Sequence, residues 1–265
     1  MESEILTANF LKYIFLIISG ASLGSFFMSI TQRFCENRPL FSLRSYCFYC
    51  KNKLRIWELL PFLSYLFLKA RCRICKEKIP ICIFLAEILG SIFTLISYFY
   101  SQNLQEFIIL TLFLFVFFML SYIDVKFRAV PQILLWFMFF LAFIFMFKSN
   151  EILYFLMFEE FKNGFLIHAF SFAGFLFLLK NFTAYIRNFK SKKIQENLGD
   201  ADIIVCSSIA GIFGFKESFI ILFCGALLTL PFFIFYQRKE LAFLPFINTA
   251  FIGYLIFLIF NQELI

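Results

Sequence analysis

The sequence predicts an all-α polytopic membrane protein of about eight transmembrane helices, with a cytoplasmic tetracysteine loop that resembles a zinc ribbon. Of its 265 residues, 62% are hydrophobic, 46 are phenylalanine and only 15% are charged. Soluble domains carry about 25% charged residues, so the composition excludes an ordinary soluble domain. The clustering of the basic residues and two closely spaced cysteine pairs are the other observations behind this prediction.

Apolar runs long enough to cross a bilayer recur along the chain. A hydrocarbon core about 30 Å thick needs roughly 20 apolar residues in a helix. The first run is preceded by Glu2 and Glu4 instead of the basic start of a cleavable signal peptide. The eight predicted spans are residues 10–31, 80–100, 106–123, 132–147, 164–180, 201–215, 218–236 and 242–260.

The basic residues predict the orientation of these spans. Twenty of the 24 Lys and Arg residues fall in the segments 33–78, 126–128, 180–193 and 237–240. The positive-inside rule places such segments in the cytoplasm, and the eight spans bring all four to that side. The net charge of +7 therefore indicates an anionic membrane face and no nucleic-acid partner. The predicted location is the bacterial inner (cytoplasmic) membrane.

The long polar loop after the first span contains two cysteine pairs. Cys47-x2-Cys50 is followed after 21 residues by Cys72-x2-Cys75, a spacing typical of a four-thiolate zinc site. A reducing cytoplasm disfavours disulfides, which leaves structural zinc, redox chemistry or a reduced metal-free loop. Because a closed four-thiolate shell has no open position for water, we expect zinc there to be structural.

Two aspartates are candidates for chemistry, because ionisable groups at membrane depth are costly. Asp124 follows the third predicted span and Asp200 precedes the sixth, both at the cytoplasmic end. If these helices pack together, the two carboxylates can share a proton, and one then activates water while the other protonates a carbonyl oxygen. Alternatively, each aspartate caps a helix or pairs with Lys126, Arg128 or Lys193.

The ordered motifs resemble those of the bacterial type IV prepilin peptidases, also called leader peptidase/N-methyltransferases, over nearly the whole chain. The matching segments are Gly24–Arg33 (family GSFxNVxxxR), Cys47–Cys75 (tetracysteine loop), Glu58–Tyr65 (ELIPxLSY), Glu87–Gly90 (start of the second span), Asp124 with Pro131 (DxxxxxIP), Gly199-Asp200 (GxGDxK) and Lys239–Phe246 (a PFGPF-like closing element).

Three positions depart from the family pattern. Asn197 stands for the first glycine of GxGD, and Met28 replaces the usual asparagine of the first motif. Asp202 replaces the family lysine and adds a third carboxylate, which would either oppose the ionisation of Asp200 by like-charge repulsion or take a structural or proton-shuttling role. The change at Met28 leaves open a peptidase without methyltransferase activity.

The resemblance implies a division of labour along the chain. Residues 1–105, with two spans and the cysteine loop at 33–79, would be associated with methyl transfer, and residues 106–265 would form an aspartyl peptidase domain of about six spans. Asp124 and Asp200 would be catalytic, the four cysteines would hold structural zinc, and Arg33 and Glu58 are candidates for binding S-adenosylmethionine.

The same resemblance implies an activity. The enzyme would remove the leader of type IV prepilins, or of pseudopilins of type II secretion, at the cytoplasmic face of the bilayer and then methylate the new N-terminus. A different class of function remains as an alternative, an ion-coupled transporter that relays ions through Asp124, Glu87 and Asp200.

Overall fold

The computed structural model describes residues 2–39, 45–47, 49–62, 65, 67–146, 164–189, 198–236 and 241–262. Within them the regular structure is helical, apart from two isolated antiparallel bridges in the cysteine loop. The prediction of an all-α protein with about eight spans is confirmed, since one helix coincides with each span. The helices are α1 (Glu2–Cys35), α2 (Ile81–Tyr100), α3 (Leu104–Phe127), α4 (Gln132–Met146), α5 (Phe165–Asn188), α6 (Asp200–Phe213), α7 (Phe215–Tyr236) and α8 (Leu244–Gln262).

Six of these helices are long and apolar enough to cross a membrane: α1, α2, α3, α5, α7 and α8. The other two, α4 and α6, have 15 and 14 residues and rise only about 21–23 Å, less than a hydrocarbon core of about 30 Å. Most of α6 is buried, including the run from Val205 to Ile212. It packs on α4, α5 and α7, so its apolar residues form part of the protein interior.

The chain divides into two compact units, Met1–Tyr100 and Ser101–Ile265. In the first unit, α1 and α2 approach closely through small residues. A Cβ at Gly24 would lie 2.1 Å from the carbonyl oxygen of Ala86, and one at Gly90 would lie 2.3 Å from that of Gly20. Small residues four apart let helix backbones meet in this way in membranes.

Two hydroxyl groups reinforce the α1–α2 contact. The Oγ of Ser91 donates to the carbonyl oxygen of Ile17 at 3.0 Å, and the Oγ1 of Thr94 donates to that of Leu16 at 3.0 Å. Such bonds between membrane helices contribute about 0.6 kcal/mol each on average. The close glycine packing and these bonds together fix the pairing of the two helices.

In the second unit, aromatic rings pack three helices together at one end. Phe251 of α8 lies 5.7 Å from Phe113 and 6.0 Å from Phe117, both on α3, and 5.7 Å from Phe213 at the end of α6, measured between ring centres. Phe113, Phe117 and Phe251 are among the largest fully buried side chains. Part of the phenylalanine excess therefore forms a core.

Other large apolar side chains are exposed, which suits helices that face lipid. On α7, Phe223 is 57% and Ile234 is 74% exposed, and on α5, Leu178 is 68% exposed. Such surfaces would be costly in water, but a bilayer is as apolar as these side chains. The exposed rows support insertion of the helices in a membrane.

Candidate functional site

The four loop cysteines converge on one point. The Sγ atoms of Cys47 and Cys75 are 3.8 Å apart, those of Cys50 and Cys72 are 4.0 Å apart, and all four lie within 4.8 Å of one another. Thiolates bound at about 2.3 Å to tetrahedral zinc are separated by about 3.8 Å, whereas a disulfide bond is about 2.05 Å long. The cluster can therefore hold a zinc ion, and the geometry is not that of disulfides.

The two CxxC turns are built alike. The N–H of Cys47 donates to the carbonyl oxygen of Asn52 at 2.9 Å, and the N–H of Cys72 donates to that of Glu77 at 2.8 Å. An isolated antiparallel bridge closes each turn. The repeated geometry presents two thiols from each turn toward the shared centre.

Each turn also places the residue after its second cysteine in the left-handed region, with φ of 59° at Lys51 and 60° at Lys76. In the second turn, the backbone N–H of Cys75 points at the sulfur of Cys72 and lowers the pKa of that thiol to about 7. A lowered pKa favours the thiolate, which is the form that binds metals.

A cavity of about 140 Å³ lies in the first unit, lined by α1, the start of α2 and the cysteine loop. Arg33 and Glu58, the predicted cofactor-binding residues, both line it. Glu58 is anchored, because its Oε1 lies 3.1 Å from Nε of Arg73 and its Oε2 accepts the N–H of Arg55 at 2.9 Å. The guanidinium of Arg33 lies 5.7 Å from the ring centre of Tyr46. The cavity thus combines charged and aromatic groups.

Glu87 ties the loop to α2 and lines the same cavity. Its side chain is buried, and its Oε2 accepts the N–H of Phe62 at 2.9 Å. Tyr65 stacks on Phe84 of α2 with ring centres 4.6 Å apart. These contacts explain why the chain has a glutamate and aromatic residues here, since they dock the middle of the loop on the helix.

In the second unit, Asp124 lies in the last turn of α3 and is half-buried. Its Oδ2 accepts the N–H of Leu244, the first residue of α8, at 3.3 Å. The helix ends just afterwards, because Arg128 adopts a left-handed conformation with φ of 53°. Asp124 thus stands where α3 ends and α8 begins.

Asp200 begins α6 and faces outward. Its side chain is 85% exposed, and its Oδ1 lies 2.7 Å from Nζ of Lys180 on α5. An ion pair was one of the roles considered for this aspartate, although with Lys193, which lies outside the described residues. Lys180, two turns before the end of α5, pairs with Asp200 because this part of α5 lies beside the beginning of α6.

Asp202 occupies the third position of α6 and is only 9% exposed. Its Oδ2 accepts the N–H of Gly199 at 3.1 Å, the bond by which an acidic residue at this position caps a helix. It also lies close enough to Asp124 for the two negative charges to interact. The predicted structural role is present, and the residue has an electrostatic relationship with Asp124 as well.

A buried polar pair beside Asp124 was missed in the sequence. Asn248 of α8 is 5% exposed, and its Nδ2 donates to Oγ of Ser121 at 3.4 Å, one turn before Asp124. Its Oδ1 has no partner within the described part of the chain. An asparagine in an apolar run was the available signal, because polar groups at membrane depth are costly.

Known proteins resemble parts of this chain. Residues 18–101 match the bacterial peptidase A24 N-terminal domain. The chain is 33% identical over 147 residues to a protein of Vibrio cholerae serotype O1, covering 51% of this chain and 58% of the relative, which is named prepilin leader peptidase/N-methyltransferase. A protein of the same name from Bacillus subtilis strain 168 is 30% identical over 129 residues, covering 48% of this chain and 52% of the relative.

A third protein with this name, from Pseudomonas putida, is 33% identical over 69 residues, covering 26% of this chain and 24% of the relative. The chain thus spans little more than half the length of the relatives from Vibrio cholerae and Bacillus subtilis. No solved structure matches it. The family resemblance predicted from the motifs is confirmed.

Proposed function

Because the chain is a relative of the prepilin leader peptidase/N-methyltransferases, we propose that it is an aspartic endopeptidase of the bacterial inner membrane. Its substrates would be type IV prepilins or pseudopilins, cut between the basic leader and the apolar helix. The observation that carries this proposal is the acidic start of α6 near Asp124, within one unit of apolar helices. Two carboxylates so placed suit acid–base cleavage of a peptide bond.

Cleavage would consume one water molecule. Asp124 and a second carboxylate from the acidic start of α6 share one proton, because two carboxylates in proximity resist double ionisation. The ionised group takes a proton from water as the water oxygen attacks the peptide carbonyl carbon, and the protonated group gives its proton to the carbonyl oxygen. The C–N bond then breaks as the nitrogen takes a proton from the dyad and a hydroxyl of the tetrahedral intermediate returns one to it. An acid and an amine leave, and the dyad again holds one proton.

The place of the cut follows from the predicted topology. A basic leader is retained in the cytoplasm, while the apolar segment that follows it enters the bilayer. The peptide bond between them then lies near the cytoplasmic membrane face, where the sequence places Asp124 and the start of α6. This depth supports a substrate that is itself a membrane segment.

The tetracysteine loop would fold around a structural zinc ion. Cys47, Cys50, Cys72 and Cys75 would be its ligands, since their separations suit a tetrahedron. When bound, zinc supplies cross-linking of the two CxxC turns. Because four thiolates fill its coordination shell, the cleavage chemistry stays with the carboxylates.

The second activity would be methylation of the newly formed N-terminus. S-adenosylmethionine supplies the methyl group when bound, and its positively charged sulfonium, aromatic base and carboxylate suit the mixed charged and aromatic cavity of the first unit. Arg33 can bind a carboxylate, and Glu58 can accept hydrogen bonds from amino or hydroxyl groups. Met28 is fully buried and is not among the lining residues, so its side chain forms no part of the cavity wall.

Co-expression with a prepilin from a type IV pilus system, followed by mass spectrometry of the pilin, tests both activities. We expect loss of the leader and the gain of one CH2 at the new terminus. Asp124→Asn should leave the leader attached while the protein still inserts in the membrane. Normal processing by this variant would refute the aspartic mechanism, and cleavage without added CH2 would identify a peptidase that lacks methylation. Ion-coupled uptake without any cleavage would identify a transporter.

A further inference from the structure

We propose that Asp202, and not Asp200, is the catalytic partner of Asp124. This inference rests on the proposed peptidase function and changes the residue that the motif assigns. The two aspartates are two positions apart on α6, so they are about 200° apart around the helix axis, and residues with this spacing do not face the same neighbour. Only one of them can therefore face Asp124.

Asp200 is poorly placed for this role. Its side chain is 85% exposed, and its Oδ1 is 2.7 Å from the ammonium of Lys180. The neighbouring cation favours the ionised carboxylate, whereas one member of an aspartic dyad must hold a proton and release it to the substrate. A solvated, paired carboxylate also has no means of excluding bulk water from the reaction.

The charge of Lys180 acts on Asp202 as well, but Asp202 meets two requirements that Asp200 does not. It is 9% exposed, and its charge interacts with that of Asp124. Two carboxylates in this relationship resist simultaneous ionisation, which is the property that makes a dyad share one proton. The buried position also shields the shared proton from bulk solvent.

The packing of α6 agrees with this assignment. The last residue of α6, Phe213, contacts Phe251, which lies two turns into α8. Asp124 contacts Leu244 at the start of α8. Asp202 stands one half-turn into α6 on its buried side, where its charge interacts with that of Asp124.

Helix capping accounts for only part of the geometry of Asp202. The N–H of Gly199 engages Oδ2, and within the described residues no further hydrogen bond to this carboxylate is found. Oδ1 therefore remains for a water molecule or the substrate carbonyl. In the cleavage step, Asp202 and Asp124 together hold one proton, remove one from water and return one to the departing nitrogen, so the dyad ends in its starting protonation state.

Three amide variants test the assignment in the co-expression assay. Asp202→Asn keeps an oxygen that can accept the N–H of Gly199 and nearly the same volume, but cannot exchange a proton as a carboxyl group does. We expect Asp202→Asn and Asp124→Asn to lower the rate of leader removal by at least about 100-fold, the usual contribution of a general acid or base. Asp200→Asn is the matched control and should stay within about fivefold of the unchanged protein, because exposed ion pairs contribute little.

Membrane insertion and co-purification of uncut prepilin are measured for each variant. An inactive Asp202→Asn protein that still binds prepilin supports a catalytic role, since a collapsed helix would lose binding as well. If Asp202→Asn does not accumulate in the membrane, Asp200→Asn still tests the assignment. An Asp200→Asn protein that inserts but does not cleave would overturn the assignment of Asp202. Full activity of Asp202→Asn overturns it as well. If all three variants cleave normally, the aspartic mechanism fails. If the unchanged protein removes no leader, the proposed peptidase function itself fails.

Discussion

The ammonium of Lys180 on α5 lies 2.7 Å from Oδ1 of Asp200 on α6. The carboxylate is 85% exposed, so water screens the pair, and the energy gained is small. The contact joins the beginning of α6 to a position two turns before the end of α5, at the surface of the second unit. Asp200, the aspartate that the motif indicates, is therefore paired with a lysine at the surface, whereas Asp202 is buried.

Breaking this ion pair should have a small effect on stability. Lys180→Gln should lower the free energy of unfolding by no more than about 1 kcal/mol, because water screens the pair at the exposed carboxylate, although the side chain of Lys180 is only 13% exposed. The corresponding fall in melting temperature is less than about 4 °C for a unit of this size. Thermal unfolding in detergent measures it, and a larger fall would show that the lysine has a role in packing beyond this pair.

Enlarging Gly24 should separate α1 from α2. A Cβ there would overlap the carbonyl oxygen of Ala86 at 2.1 Å, and backbone cannot move aside as a flexible side chain can. We expect Gly24→Ala to destabilise the first unit by at least about 1–3 kcal/mol, which is the usual cost of overpacking. The purified protein is unfolded in detergent, and the protease resistance of the first unit measures this effect.

Gly174→Ala on α5 is the matched control for that substitution. A Cβ at Gly174 meets nothing within 4 Å, and alanine is favoured over glycine in a helix by about 1 kcal/mol. Its stability should equal or exceed that of the unchanged protein. If both variants unfolded alike, close packing at Gly24 would not be the cause.

Zinc content should depend on the loop cysteines. The unchanged protein should bind one zinc ion per chain, and Cys72→Ser should lower the content because a hydroxyl is a much poorer ligand than a thiolate. Loss of the metal should also speed proteolysis of the loop, since binding energy in such sites is folding energy. Elemental analysis and limited proteolysis measure the two effects.

Cys224→Ser supplies the control for the zinc experiment. This residue is exposed on α7 and does not belong to the tetracysteine cluster. Its substitution should leave the zinc content unchanged. Equal loss of zinc from both variants, or none from Cys72→Ser, would contradict the assignment of the ligands.

Changes in the first-unit cavity should separate methylation from cleavage. Glu58→Gln keeps the size of the side chain and removes the charge that pairs with Arg73 and faces the cavity. We expect at least about a tenfold loss of methylation, the effect of losing roughly 1.4 kcal/mol from a charged hydrogen bond, with little change in leader removal. Mass spectrometry of the pilin reads the two products in one sample.

Arg38→Ala is a suitable control for this cavity. Arg38 pairs with Glu36 at the surface, 2.8 Å apart, and does not line the cavity. It should preserve both activities. If Glu58→Gln and Arg38→Ala behaved alike, or if Glu58→Gln stopped cleavage as strongly as methylation, the cavity would not be the methylation site.

Local sequence patterns predicted much of the fold. Runs of apolar residues predicted all eight helices, because a backbone surrounded by lipid must satisfy its hydrogen bonds within the helix. They did not show that α4 and α6 are shorter than a bilayer is thick, since an apolar run looks the same whether lipid or protein covers it. The CxxC spacing likewise predicted the tetracysteine cluster, because each turn brings its own two thiols together.

The match of Gly199-Asp200 to the end of GxGD indicated Asp200 as the second catalytic residue. The motif could not show which of Asp200 and Asp202 faces inward. The rotation and packing of α6 place Asp200 beside Lys180 and Asp202 in the interior near Asp124. The sequence thus determined the helices, the cluster of four cysteines and the presence of acidic groups. Which carboxylate faces inward was decided by tertiary structure, because burial and the distance between charges depend on how helices pack.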